Sequence, residues 1–266
     1  MTETKLSDQP PQVIKDLGII IAAGGNSTRF GENKLFRPLA GIPVFMHSVI
    51  KLAGLCSPEN FILVVPENDM STFAKDLELY SPSVKPRLVA GGKIRMESVV
   101  NGLNILTESA SFVAITDAAR PFVSAELTTR CVDACRTNSG GALAAHKLTD
   151  TVKEENSDGL ICRTVDRSRL WAVQTPQVFP VKKLRAAYQQ AFEADKSFTD
   201  DAGVMEFAGY RITPVDNHDF NIKITYPDDI KLAEAYCGEP TQTESLRGRD
   251  SRHSLRWPRA GQPPLT

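Results

Sequence analysis

The sequence predicts an α/β fold: a mostly parallel sheet flanked by helices, interrupted by an inserted β-hairpin. Three observations carry this. Short apolar runs recur at residues 18–23, 61–66, 86–92 and 111–121, as strands buried on both faces do. Stretches with helical spacing of apolar residues separate them, and strand–helix alternation of this kind builds a parallel sheet covered on both sides. Residues 140–179 then depart from the alternation, with polar and apolar residues alternating on either side of Asn156-Ser157-Asp158-Gly159, a hairpin turn signal.

The first strand, 18–23, runs into Gly24-Gly25-Asn26-Ser27-Thr28, a turn-forming cluster whose backbone N–H groups can point at an anion. Residues 43–55, 69–80 and 95–106 carry amphipathic helical spacing, and Cys131 and Cys135, four apart, share a further expected helix. The arm, about 145–178, bears Val152, Leu160, Val165, Leu170, Trp171 and Val173. An isolated two-stranded ribbon holds together poorly in water, so the arm must pack on something; a second subunit is one candidate and its own domain the other. A helix follows over about 180–194. Next comes a helix opening with Thr199 or Asp200 as N-cap, then a strand at 211–215. A short strand at 221–225 leads into a helix with Pro227 near its first turn. Residues 1–16 read as a disordered N-terminal tail, 17–237 as one folded domain, and 238–266, polar and rich in Pro, Arg and Ser, as a disordered C-terminal tail.

The 266 residues are 41% hydrophobic and 24% charged, enough to bury a sizeable core. With 31 Lys and Arg against 32 Asp and Glu, no global basic field points to nucleic acid, and any anion site must be local. No apolar run approaches the roughly 20 residues that span a bilayer, and the N-terminus lacks the pattern of a secretory signal, so the expectation is a cytoplasmic protein with no membrane partner. The five cysteines, without a CxxC pair, read as free reduced thiols, and the four histidines form no zinc pattern.

The glycine loop after the first strand is neither a Walker A loop nor a dinucleotide fingerprint, which removes the main support for ATPase and dehydrogenase readings. A strand, a glycine turn, then Arg29 and Lys34 fit a nucleoside triphosphate held by N–H groups and two cations; ordinary solvated charges are the alternative. Asp117 ends a predicted strand, where ligands sit in open parallel sheets. It is either a magnesium-holding carboxylate or a turn aspartate, and Arg120 gives the same loop a cation for a phosphorylated substrate. Lys223 interrupts the apolar run at 221–225, where a strand-edge lysine is usually just solvated.

Six ordered blocks, AAGGNSTRFGENKLF, AGGKIRMESVVNGL, TDAARP, RTVDRSRLWAVQTPQVF, FTDDAGVMEF and NIKITYPDDIKLAE, resemble the motifs of the 2-C-methyl-D-erythritol 4-phosphate cytidylyltransferases of non-mevalonate isoprenoid biosynthesis, over about residues 17–236. The resemblance implies a Rossmann-like, nucleotide-diphospho-sugar transferase-like fold with a β-arm that dimerises. It also implies transfer of CMP from CTP to the sugar-alcohol phosphate with release of pyrophosphate. A ribitol-5-phosphate cytidylyltransferase and a non-catalytic nucleotide-binding homologue are the alternatives.

Carried over by position, the resemblance implies that Ala22, Ala23, Gly24, Gly25 and Asn26 wrap the CTP triphosphate, and that Gly91, Gly92 and Ser98 line the cytosine pocket with Ala118 beside the ribose. Arg29, Lys34, Arg167 and Lys223 are the implied catalytic cations, and Asp117 the magnesium and substrate residue. Arg120, Arg167, Thr175, Thr199 and Lys223 surround the sugar-alcohol phosphate, Arg167 and Thr199 from a partner subunit of a homodimer with shared active sites. Three positions depart from the family pattern. Asn33 replaces a frequent proline before Lys34, Lys93 an acidic residue after Gly91-Gly92, and Phe220 an aspartate before Asn221. The implied chemistry is in-line attack by a phosphate already ionised at neutral pH, so neither a general base nor a covalent intermediate is required.

Overall fold

In the computed structural model the described residues are 12–24, 33–138 and 140–238. Their framework is a seven-stranded sheet of order β11-β7-β10-β6-β1-β4-β5. In its interior lies β1 (Leu17–Ala22), every residue of which is buried. It pairs in parallel with β4 (Phe61–Val65), buried throughout, and with β6 (Phe112–Asp117). Beyond β4 lies β5 (Arg87–Ala90), also parallel. A small antiparallel pair, β2 (Pro38–Leu39) and β3 (Ile42–Pro43), follows the loop after β1.

Because strand side chains alternate, the sheet feeds two cores. On one face Leu17, Ile19, Ile21, Leu63 and Val65 meet α1 (Val44–Leu52), α2 (Met70–Tyr80), α4 (Ala125–Thr137) and α7 (Pro227–Gly238). On the other, Ile20, Ile62 and Val64 meet α3 (Arg95–Asn104), α5 (Val181–Glu193) and α6 (Asp201–Phe207). Each fully buried Leu, Ile or Phe contributes about 1.5–3 kcal/mol. Gly102 lets α3 lie close on the sheet, since a methyl group there would come within 3.1 Å of Ile20 and Val64.

The second half of the sheet is built by β7 (Ala142–Lys147), β10 (Trp171–Pro180) and β11 (Thr213–Asp216). β10 runs antiparallel to both β6 and β7, and β11 parallel to β7. Of the expected arm, about 145–178, residues 145–147 and 171–178 belong to β7 and β10, which pair with each other within the main sheet; only the hairpin of β8 (Val152–Glu155) paired with β9 (Ile161–Val165) stands separate from it. Its turn forms at the foreseen place, with the Gly159 N–H donating to the Asn156 carbonyl at 3.2 Å. Leu160 and Ile161 are 65% and 61% exposed, but Trp171, expected among the arm's unburied apolar residues, packs partly buried on its own domain, with Lys147 Nζ 3.9 Å from its ring centre.

Two further boundaries differ from the sequence reading. Residues 12–16, assigned to the tail, reach the core: Ile14 packs on it and donates its N–H to the Leu55 carbonyl at 2.8 Å. Residues 221–225 form no strand; the segment is held by the buried Asn221 and Ile224, with Lys223 exposed between them. The rest of the tail assignments, 1–11 and 239–266, lie outside the described residues.

Cys56, Cys131, Cys135, Cys162 and Cys237 are all free. Burial pushes the Cys56, Cys131 and Cys135 thiols up to about 12, so these three stay protonated and act as small apolar residues. Among the described residues no helix is long and apolar enough to cross a membrane.

Candidate active site

The site forms where β1 and β6 end side by side. Ala22 and Asp117 are partners in the ladder, the Ala118 N–H donates to the Ala22 carbonyl at 3.0 Å, and the Ala23 N–H donates to the Val64 carbonyl at 2.8 Å. The glycine loop and the Asp117 turn therefore leave the sheet together at its carboxyl edge. Ala22, Ala23 and Gly24 are described there, whereas Gly25, Asn26 and Arg29 lie outside the described residues.

Lys34 opens a single helical turn, Lys34–Phe36, and is half-buried. Asn33 caps that turn, accepting the Leu35 N–H at 3.2 Å, and donates to Asp69 at 3.3 Å. The residue in the place of the frequent proline thus anchors its loop by hydrogen bonds instead of by a fixed φ.

Asp117 is the hub. Its side chain is 13% exposed, and its Oδ2 lies 2.8 Å from Lys223 Nζ and 3.6 Å from Arg120 Nε. Burial works against the ionised carboxyl, but the charges of Lys223, Arg95 and Arg120 and the Lys223 hydrogen bond outweigh it and hold the Asp117 pKa below its ordinary value. A carboxyl lowered in this way contributes stability that is complete above the unfolded value of about 3.9 and is lost as pH falls through the still lower folded value. Asp117 is consequently ionised throughout the neutral range. Arg120, 8% exposed, donates from an Nη to the Asn221 carbonyl at 2.7 Å, while its buried Nε has no hydrogen-bond partner among the described residues.

Thr175 is 4% exposed and occupied within the protein: its Oγ1 accepts the Asp117 N–H at 3.0 Å and lies 3.2 Å from Thr116 Oγ1. Its geometry holds Asp117. On the far side of β1, the Ser98 Oγ accepts the Gly92 N–H at 3.0 Å and donates to the Ile94 carbonyl at 3.1 Å, so it fixes the Gly91-Gly92 turn from beneath. A methyl group at Gly92 would come within 2.2 Å of Glu97 Cβ. Glu97 also accepts the Lys93 N–H at 2.6 Å, so the acidic group beside this turn is supplied from α3 although residue 93 itself is a lysine. Ala118 is fully buried and contributes through its backbone.

Two expected residues stand apart from this cluster. Thr199 is exposed and precedes Asp200, the residue that does cap α6, accepting the Gly203 N–H at 3.0 Å. Arg167 is exposed on the segment after β9 and donates to the Thr149 carbonyl within its own arm.

The sequence reading missed Arg95. Its guanidinium donates to Asp201 at 2.6 Å, and Asp201, fully buried, also accepts the Tyr188 hydroxyl. Burial disfavours the Arg95 charge, but Asp201 more than restores it and raises its pKa; burial and Asp201 together raise that of Tyr188. The pattern "KIRMES" contains an arginine at the first turn of a helix, but nothing local shows that a carboxylate 106 positions later lies beneath it. Gln174, Asn217 and Asn221 were missed for the same reason.

The arrangement is a sheet-edge cradle with cations around one buried carboxylate, suited to a phosphorylated ligand whose charge grows during reaction. Among the described residues no group of three or more His, Cys, Asp or Glu is placed to hold a metal ion by itself. Asp117 fits a hard cation as a single carboxylate ligand that depends on nucleotide phosphates for further oxygens, the usual situation of magnesium.

Residues 17–239 match the family profile described as IspD, 2-C-methyl-D-erythritol 4-phosphate cytidylyltransferase. A protein of that name from Syntrophus aciditrophicus is 40% identical over 220 residues, 82% of this chain and 94% of the relative, and one from Dictyoglomus thermophilum is 37% identical over 83% and 95%. The crystal structure of the 4-diphosphocytidyl-2C-methyl-D-erythritol synthase from Anaerococcus prevotii superposes with a TM-score of 0.73 at 29% identity, covering 85% of this chain and 99% of that one. The cytidylyltransferase from Thermus thermophilus gives 0.69 at 26% identity, covering 83% and 98%. With the resembling blocks, the sheet order and a profile that spans β1 to α7 in agreement, the chain belongs to the 2-C-methyl-D-erythritol 4-phosphate cytidylyltransferase family.

Proposed function

We propose that this chain transfers CMP from CTP to 2-C-methyl-D-erythritol 4-phosphate, giving 4-diphosphocytidyl-2-C-methyl-D-erythritol and pyrophosphate, as an enzyme of isoprenoid precursor synthesis. The observation that carries the reading is the Asp117–Lys223–Arg120 cluster at the shared edge of β1 and β6, beside the glycine loop. The nucleotide triphosphate lies along residues 22–29, with Arg29 and Lys34 on its phosphates, and cytosine lies toward the Gly91-Gly92 turn. The sugar-alcohol phosphate enters between Lys223 and Arg120, and Arg167 and Thr199 reach it from the second subunit of a homodimer. The monoester oxygen attacks the α-phosphorus in line with the departing pyrophosphate. Its second pKa is about 6, so at neutral pH the nucleophile is already a dianion and catalysis reduces to positioning and charge neutralisation. This accounts for a site without a histidine or cysteine in a reactive position among the described residues. Free thiols at all five cysteines suit a reducing, cytoplasmic setting.

Substrate choice is read by a pyrophosphate-release assay with CTP and a panel of alditol and sugar phosphates. The expected result is the highest kcat/KM for 2-C-methyl-D-erythritol 4-phosphate; a higher value for ribitol 5-phosphate reassigns the substrate.

Magnesium is held by Asp117 together with the CTP phosphates in this reading. When bound, it neutralises phosphate charge. Asp117→Asn is expected to weaken magnesium-dependent CTP binding, measured calorimetrically, and wild-type turnover to vanish in chelator. Full activity in chelator contradicts the metal assignment.

A further inference from the structure

Between β11 and α7 the segment that carries Lys223 joins no strand, so side-chain ties rather than a backbone ladder set its path. We infer that Gln174 is a positioning residue for Lys223, acting through Asn221. The Gln174 side-chain oxygen accepts from two amides of this segment, Asn217 Nδ2 at 3.0 Å and Asn221 Nδ2 at 3.1 Å. Asn221 Nδ2 gives its other hydrogen to the Thr175 carbonyl at 3.0 Å, and the Asn221 carbonyl accepts from Arg120 at 2.7 Å. These bonds fix the orientation of both amides: turning Asn221 over would set its oxygen against two acceptors, and turning Gln174 over would set its NH2 against two donors.

Burial shows where the segment is gripped. Asn217 and Asn221 are each 2% exposed, while the Lys223 side chain, two residues on, is 45% exposed. Ile224, fully buried, closes the anchor by donating its N–H to the Ala119 carbonyl at 2.8 Å. Lys223 is therefore an exposed cation on a backbone fastened on both sides, and the fastening on the Asn221 side runs to Gln174.

Gln174 can do this because the β10–β7 register shifts between Val173 and Gln177. In that interval the strand is freed from strict alternation, and consecutive residues serve the same site. The Thr175 hydroxyl accepts the Asp117 N–H, and Gln174 accepts from Asn221. One irregular stretch of β10 thereby holds both members of the 2.8 Å Lys223–Asp117 pair in register. The side chain of a lysine is long and loses much rotamer freedom when held. A stationary backbone keeps its ammonium within reach of both the carboxylate and an incoming phosphate.

The inference rests on the proposed role of Lys223 at the substrate phosphate, and the test separates the two. Gln174→Met keeps the length of the side chain and removes the acceptor. In chains that retain Lys223 it is expected to lower kcat about tenfold or more, as a misplacement near 1 Å does, with KM for CTP unchanged. In a Lys223→Ala background the same substitution is expected to cause no further loss, since the group it positions is gone. Crystal structures supply the direct readout: Lys223 Nζ leaves Asp117 in Gln174→Met and stays on it in Gln174→Glu, which keeps the acceptor. An equal loss of kcat in both backgrounds would mean that the effect does not run through Lys223 and would overturn the inference, as would an unchanged kcat with the ion pair intact in Gln174→Met. If Lys223→Ala alone leaves kcat unchanged, the role of Lys223 fails, and the crystal structures still decide whether Gln174 positions it.

Discussion

Lys223→Ala chains are expected to turn over about 10²–10³-fold more slowly than the parent, the usual loss when one charge contact to a developing anion is removed. The ammonium sits 2.8 Å from Asp117 with nearly half its side chain open to solvent, so it can meet a phosphate without leaving its carboxylate partner. Negative charge at the α-phosphate and its attacking oxygen is redistributed as the bond forms. A fixed cation is then worth more in the transition state than in the bound ground state, and the loss falls on kcat more than on KM for CTP. Lys34→Ala is expected to behave likewise. Steady-state kinetics with both substrates varied reads the split; an unchanged kcat for Lys223→Ala removes it from the catalytic set. Removing Lys223 also strips Asp117 of the largest of the charges that lower its pKa, so the circular dichroism spectrum of the variant is needed to show that the fold persists.

The second large effect is a recovery. Arg167 is exposed on an arm whose hairpin leaves Leu160 and Ile161 mostly uncovered, and within its own chain it reaches only as far as the Thr149 carbonyl among the described contacts. A twofold-related copy would cover those apolar side chains and carry Arg167 to the neighbouring site. Arg167→Ala and Lys34→Ala chains are each expected to be nearly inactive. After subunit exchange at equal amounts, half the dimers are mixed, and each mixed dimer has one site with Lys34 of one chain and Arg167 of the other. About a quarter of parental activity per chain is the expected return. No return after verified exchange, or a monomer by sedimentation at working concentration, refutes the shared site.

The sequence by itself determined the sheet-forming runs, the helices between them and the hairpin turn, because each is a local pattern: apolar runs of strand length, apolar spacing of 3.6, and Asn-Ser-Asp-Gly at a reversal. It also marked Asp117, because a carboxylate that ends an apolar strand of a parallel sheet falls at the edge where ligands bind. The order of the strands, with β10 reversed between β6 and β7, was not legible, since pairing between segments far apart in sequence leaves no local trace. Nor was the lack of a strand at 221–225, where alternation suited β structure but the segment is tied instead by single bonds to Ala119, Arg120, Gln174 and Thr175. Only the tertiary structure decided which polar residues serve the site. Lys223 reads as a solvated lysine until Asp117 lies 2.8 Å away, the Thr175 hydroxyl shows its hold on Asp117 only when it is found receiving the Asp117 N–H, and Gln174 reads as an ordinary strand residue until two asparagines converge on its oxygen. Burial makes such long-range polar pairs necessary, because an amide or carboxylate taken out of water must find its partner wherever the fold brings one.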